Sequence, residues 1–166
     1  MVAKTTAHNR IATPSLSDYL AVMSRAVFQA GLSWAAIDRQ WVALCGAFDA
    51  FDPRKVAKYQ DKDIARIMAH PGILHSERKI RATIANAQAL LELDREHRGL
   101  RRYLRSHASY GALTADLKAH FKYVGDISAY YFLYRAGEDV PEFGRWIKTV
   151  EGDHPRIREM VKEKKA

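Results

Sequence analysis

The chain contains a single cysteine, Cys45, among 166 residues. That excludes an internal disulfide framework and any zinc site built from several thiolates. The seven histidines offer no substitute, since His70 with His75 and His107 with His120 are the nearest pairs and neither has zinc-ligand spacing. No metal and no cofactor are expected. Apolar runs of the ~18 residues that a membrane span requires are missing. Met1 to Thr13 carry Lys4 and Arg10 with no apolar segment directly behind them, unlike a secretory signal, so a cytoplasmic protein is expected. Strand-type alternation is missing too, as is any internal repeat.

What is present points to a packed helical domain that meets a polyanion. Hydrophobic residues make up 48% and aromatics 10%, enough to rule out a disordered chain. The formal charge of +8 favours an acidic partner, and nucleic acid is the first choice; solubility alone is the plainer reading.

Helical signals recur along the whole chain. Residues 1–14 read as a flexible N-terminal arm. Ser15 or Ser17 can cap a helix with Leu16, Leu20, Met23 and Val27 on one face, and Gly31 suits its left-handed end. Ser33 opens a second helix with Trp34, Ile37, Trp41, Leu44 and Phe48 in one stripe. Asp52-Pro53 and Asp61 start two short helices, and the latter stops near Pro71-Gly72. Ile80, Ile84, Ala87 and Leu91 mark a longer one, ending in the charged run Asp94 to Gly99. Arg95, Arg98, Arg101, Arg102 and Arg105 crowd together there, either as a solvated face or as a phosphate-facing patch. A packing helix over 140–150 carries Phe143, Trp146, Ile147 and Val150, and Asp153 with Pro155 starts a basic terminal helix over 153–166. The fold class is therefore all-α, with about eight to ten helices.

Phe121-Lys122-Tyr123-Val124-Gly125-Asp126 interrupts this helical periodicity. Leu113 and Leu117 recur before it, and Ile127, Tyr131 and Tyr134 after it, so a tight turn joins two helices over about 112–136 as a helix-hairpin-helix. Free N–H groups and the positive dipole end at the start of the second helix suit an anion, with a DNA phosphate the best fit. Lys122, Tyr123, Val124, Gly125 and Ser128 are the residues expected to hold it. Asp126 reads as an N-terminal carboxylate that satisfies free N–H groups and competes with the phosphate.

Four stretches together resemble the 3-methyladenine DNA glycosylase I family, within the helix-hairpin-helix glycosylases. They are Gln29-Ala30-Gly31-Leu32-Ser33-Trp34, Phe51-Asp52-Pro53-Arg54-Lys55-Val56-Ala57, Lys79-Ile80 with Asn86-Ala87, and the hairpin itself. The resemblance implies a compact all-helical enzyme, 15–152, that binds duplex DNA, turns a damaged base out of the stack and breaks its glycosidic bond. Trp34 matches the family's pocket tryptophan, whose indole face attracts a cationic alkylated purine; the plainer reading makes it core. Gln29 then reads a base edge or braces the turn.

The chain departs from the family where the chemistry lies. Ala26 stands at the position of the family glutamate and Gly144 at that of the superfamily's catalytic aspartate, so both usual carboxylates are absent. Glu138, Asp139 and Glu142 remain as loop candidates, and Lys148 as a distant candidate for Schiff-base chemistry. The expected function is removal of alkylated purines such as 3-methyladenine from double-stranded DNA by hydrolysis of the N-glycosidic bond, by a monomer. The alternatives are a catalytically silent protein that recognises damaged or bent DNA, and a helical protein–protein module with incidental basic charge.

Overall fold

The structure is a computed structural model and describes residues 10–73 and 75–150. All regular elements among them are helical: α1 Leu16–Gln29, α2 Trp34–Ala47, α3 Pro53–Val56, α4 Asp61–Met68, α5 Glu77–His97, α6 Leu100–Leu104, α7 Tyr110–His120, α8 Asp126–Arg135 and α9 Phe143–Trp146. Two 3-10 turns, Asp49–Phe51 and Ile147–Thr149, complete the set. The expected terminal helix over 153–166 lies outside the described residues.

Helix starts follow the predicted caps. Ser15, rather than Ser17, opens α1 through a capping box: its Oγ accepts the Asp18 N–H at 3.1 Å, while Asp18 Oδ2 accepts the Ser15 N–H at 2.8 Å. Ser33 Oγ accepts the Ala36 N–H at 3.2 Å, and Asp52 Oδ1 accepts the Arg54 N–H at 3.0 Å ahead of Pro53. Gly31 at φ +82 permits the sharp reversal between α1 and α2.

α1 is more central than its predicted stripe implies. From Val22 to Gln29 every residue is buried, including Ser24, Arg25 and Gln29, so the helix has protein on all sides there. It packs against α2, α5 and α8, and α5 also backs α3, α4 and α6. α5 is thus the long brace on which both ends of the molecule rest.

Two regions differ from expectation. The arginine-rich run after α5 contains a helical turn of its own, α6, because Leu100, Tyr103 and Leu104 interleave with the arginines and are buried. The single helix expected over 140–150 starts later and splits. Pro141 biases Val140 away from helical geometry. Glu142 then caps α9 by accepting the Gly144 and Arg145 N–H groups at 2.8 and 2.9 Å, and the chain tightens into a 3-10 turn at Ile147.

Candidate functional site

Residues 121–125 form the turn of the helix-hairpin-helix, and its geometry modifies the sequence reading. The left-handed residue is Tyr123 at φ +60, not Gly125, which sits at φ −109 as the N-cap of α8. A Cβ at Gly125 would meet no atom within 4 Å, so glycine there leaves the approach to the helix start open rather than relieving a bend. No side chain among the described residues caps α8. Asp126 does not fill that role: its Oδ1 accepts from Lys118 Nζ at 2.7 Å, which offsets its charge. Lys122 is exposed, Tyr123 and Val124 are half-buried, and Ser128 is buried at 6% exposure. Ser128 is thus withdrawn from solvent in the first turn of α8.

The hairpin is fastened from beneath. Asn86 on α5 is 1% exposed, and its side-chain amide pairs with both backbone groups of one hairpin residue. Asn86 Oδ1 accepts the Lys122 N–H at 2.7 Å, and Asn86 Nδ2 donates to the Lys122 carbonyl at 3.1 Å. That two-point bond substitutes for a strand partner and fixes the turn against the brace helix.

A second attachment on α5 holds the turn between α1 and α2. Lys79 Nζ donates to the Ala30 carbonyl at 2.9 Å and to the Phe28 carbonyl at 3.3 Å, satisfying acceptors that the end of α1 leaves open. Gln29, beside them, is 2% exposed, and its Nε2 has no hydrogen-bond partner among the described residues. Trp34, at the head of α2, is 7% exposed and meets Tyr131 of α8 edge-on, ring centroids 5.2 Å apart. The predicted pocket pair Gln29 and Trp34 thus shares one turn, and Tyr131 faces it from the second hairpin helix. Sequence reasoning placed Tyr131 only in a helical stripe; what it missed is that α8 packs on α1.

The carboxylate candidates separate clearly. Glu138 is 5% exposed, and its Oε2 accepts from Arg105 Nε at 2.9 Å while Oε1 lies 3.8 Å from Arg101 Nε. Its backbone carbonyl also takes a hydrogen bond from Arg10 at 2.9 Å, and Arg101 reaches the Ala12 carbonyl at 2.8 Å. These bonds tie residues 10–12 to the loop after α8, with the Ile11 N–H on the Arg135 carbonyl at 2.7 Å. Glu138 is a structural anchor here, and Glu142 is the cap of α9. Asp139 and Glu142 are both exposed, but Glu142 is occupied by the start of α9, whereas Asp139 lies on the rim of a cleft that Glu138, His107 and Tyr110 also line. Lys148 is exposed in the closing 3-10 turn. Ala26 is buried at 3% exposure, and Gly144 serves α9 through its N–H. Two members of the arginine patch, Arg101 and Arg105, are therefore engaged by Glu138, whereas Arg95, Arg98 and Arg102 are exposed.

Asp116 of α7 collects the histidines that the sequence left unassigned. Its Oδ2 accepts from the Tyr103 hydroxyl at 2.8 Å and lies 2.8 Å from His107 Nε2, and its Oδ1 lies 3.2 Å from His120 Nε2. Burial opposes the ionised form, yet the hydrogen bonds from His107 and Tyr103 outweigh it and hold the carboxyl below its ordinary value. Burial also pushes the Tyr103 phenol well up, and the bond to Asp116 adds to that. Among the described residues no group of three or more histidine, cysteine or acidic side chains is placed to hold a metal ion. Cys45, on α2, has its thiol pushed up by burial.

Fold and site together define an all-helical protein whose helix-hairpin-helix and α1–α2 turn are both held on one brace helix. The family model described as methyladenine glycosylase matches residues 17–129. The chain belongs to that family. It is similar to DNA-3-methyladenine glycosylase 1 of Escherichia coli K12, 39% identical over 66 residues that make up 40% of this chain and 35% of that protein. DNA-3-methyladenine glycosylase of Haemophilus influenzae is 25% identical over 130 residues, 66% of this chain and 70% of its relative. Among solved structures, the 3-methyladenine DNA glycosylase I of Staphylococcus aureus superimposes with a TM-score of 0.68 at 26% identity, covering 78% of this chain and 79% of that one. A point variant of a 3-methyladenine DNA glycosylase I, solved in complex with 3-methyladenine, gives 0.66 at 29% identity, covering 75% and 78%. No helix among the described residues is long and apolar enough to cross a membrane.

Proposed function

We propose that this chain is a monofunctional DNA glycosylase that binds double-stranded DNA and hydrolyses the N-glycosidic bond of alkylated purines such as 3-methyladenine. The observation that carries this reading is the common anchorage on α5: Asn86 fixes the phosphate-binding hairpin and Lys79 fixes the turn bearing Gln29 and Trp34. A backbone grip and a base pocket have to be held at constant separation for an extruded base to reach its site. In this reading the indole of Trp34 and the ring of Tyr131, in edge-on contact, form one aromatic wall for the base, and the buried Gln29 Nε2 donates to its edge. The hairpin amides at Gly125 and Asp126, with the Lys122 ammonium, hold the phosphate. The protein acts as a monomer in the cytoplasm.

The missing carboxylates fit a substrate that needs little help. A purine alkylated on a ring nitrogen is cationic in DNA and departs neutral, taking the electron pair of the C1′–N bond, so no general acid is required. Water then bonds to C1′ and releases its proton to solvent. Stacking of aromatic faces on the cation favours capture of such a base over a normal one. Asp139 is the remaining loop carboxylate with freedom to support charge at the sugar.

The test is direct. Purified protein is incubated with methylated duplex DNA, and abasic sites are measured as alkali-labile breaks alongside released base. Release of 3-methyladenine supports the proposal. Salt-sensitive duplex binding with no release supports the silent DNA-binding alternative instead. Absence of both sinks the DNA reading altogether.

A further inference from the structure

The face of α5 that turns toward the hairpin carries a basic groove that shares Lys122 with the proposed grip and runs past it to Arg78. It has a volume of about 630 Å³ and is lined by Arg78, Arg81, Ala82, Ala85, Lys122 and Tyr123. Residues 78, 82 and 85 recur at helical spacing, so Arg78 sits one turn above a floor of alanines. The small side chains let a ligand come close to the helix. Lys122 and Tyr123 form the opposite wall, and Asn86 bonds that wall to α5, so the width of the groove is fixed.

Its charges are unequal in a telling way. Arg81 donates to Glu77 at 2.7 and 2.9 Å and reaches Asp61 at 3.5 Å, so two carboxylates offset it. Arg78 and Lys122 have no carboxylate partner among the described residues, and both are exposed. The Arg78 guanidinium lies over the Tyr123 ring, 5.7 Å from its centroid. Tyr123 reaches that position only because it adopts the left-handed backbone at φ +60, which a bulky residue normally avoids. The strained residue of the hairpin therefore orients a free cation at the far side of the groove.

We infer that this groove is a second phosphate site, in which the DNA backbone gripped by the hairpin continues along α5 and meets Arg78. The inference rests on the proposed DNA binding and extends its footprint beyond the hairpin. A sugar-phosphate chain fits the chemistry: anionic, extended, and in need of a smooth floor. Arg78 is a positioning residue for the duplex and touches no reacting atom.

Each phosphate contact contributes about 0.9 to the slope of log K against log salt, so losing one contact reduces the weakening between 50 and 200 mM salt by about 3.5-fold. Duplex affinity is measured across that range for the wild type and for Arg78→Ala, Arg81→Ala, Lys122→Ala and Ala85→Glu, with thermal melts confirming that each is folded. Expected are a slope lower by about one for Arg78→Ala, a clearly smaller change for Arg81→Ala, and at least tenfold weaker binding for Ala85→Glu, whose carboxylate would enter the floor. Arg78→Lys should restore the slope, since it restores the charge. If Lys122→Ala lowers the slope while Arg78→Ala and Ala85→Glu match the wild type, the second site is refuted and the hairpin grip stands. If the wild type shows no salt-sensitive duplex binding, the underlying DNA reading fails with it.

Discussion

Replacing Asn86 by alanine tests the architecture at its most specific point. The Asn86 amide is buried and makes two backbone bonds to Lys122, at 2.7 and 3.1 Å. Removing it leaves an amide N–H and a carbonyl of the hairpin without those partners. A buried backbone group deprived of its bond costs about 1–3 kcal/mol, and partial access of water to the turn places the pair near 2–3 kcal/mol in total. The loss is local, so hydrogen exchange is the proper assay. The Lys122 amide should lose roughly 30- to 140-fold protection, since each 1.4 kcal/mol is a factor of ten. Global stability in urea should fall by no more than the same amount, and duplex affinity should fall because the hairpin no longer holds one shape. Unchanged exchange at Lys122 together with unchanged DNA affinity would refute the clamp and, with it, the argument that α5 sets the distance from hairpin to pocket.

Two other substitutions separate structural from functional acids. Glu138→Gln should lower stability by about 1–3 kcal/mol, because a buried partner of Arg105 and Arg101 is lost, while excision per folded molecule stays at the wild-type level. A collapse of kcat at unchanged melting temperature would instead make Glu138 catalytic. Asp116→Asn should destabilise the protein at neutral pH, since the hydroxyl of Tyr103 and the ring of His107 lose a charged acceptor. The Asp116 carboxyl is held below its unfolded value, so its contribution is complete above about pH 4 and fades as pH falls through the folded value. The gap in urea midpoint between wild type and variant should therefore narrow below about pH 4. A gap that stays constant between about pH 7 and 3 would show that the ionised carboxylate is not what stabilises the cluster.

Most helices were legible because their signals are local. Ser33, Asp52 and the stripe from Ile80 to Leu91 each act within a turn or two, where spacing and caps decide the outcome. The turn over 121–125 was legible for the same reason, but its internal geometry was not. Glycine is the usual left-handed residue, yet Tyr123 takes that role beside Lys122, whose backbone the Asn86 clamp fixes. α6 was hidden inside an arginine run, since three buried apolar residues among charged ones make too short a pattern to register. The fate of the arginines was equally invisible: nothing in the order of residues says that Glu138, far along the chain, folds back onto Arg101 and Arg105.

The same limit explains why the site was only half readable. Gln29 and Trp34 share one turn, and Lys79 and Asn86 stood in a third resembling stretch, but what those two hold, and the place of Tyr131, come only from the packing of α1, α5 and α8. Those three contacts give the absence of a carboxylate its meaning. Asn86 keeps both of its bonds to Lys122, and Lys79 both of its bonds to the end of α1, so the hairpin and the α1–α2 turn are fixed to the same helix although Ala26 and Gly144 carry no carboxylate. The grip, the brace and the aromatic wall form one connected unit. That arrangement suits a reaction in which the substrate supplies its own leaving-group charge and the protein supplies position, which is the term that rigid anchorage improves.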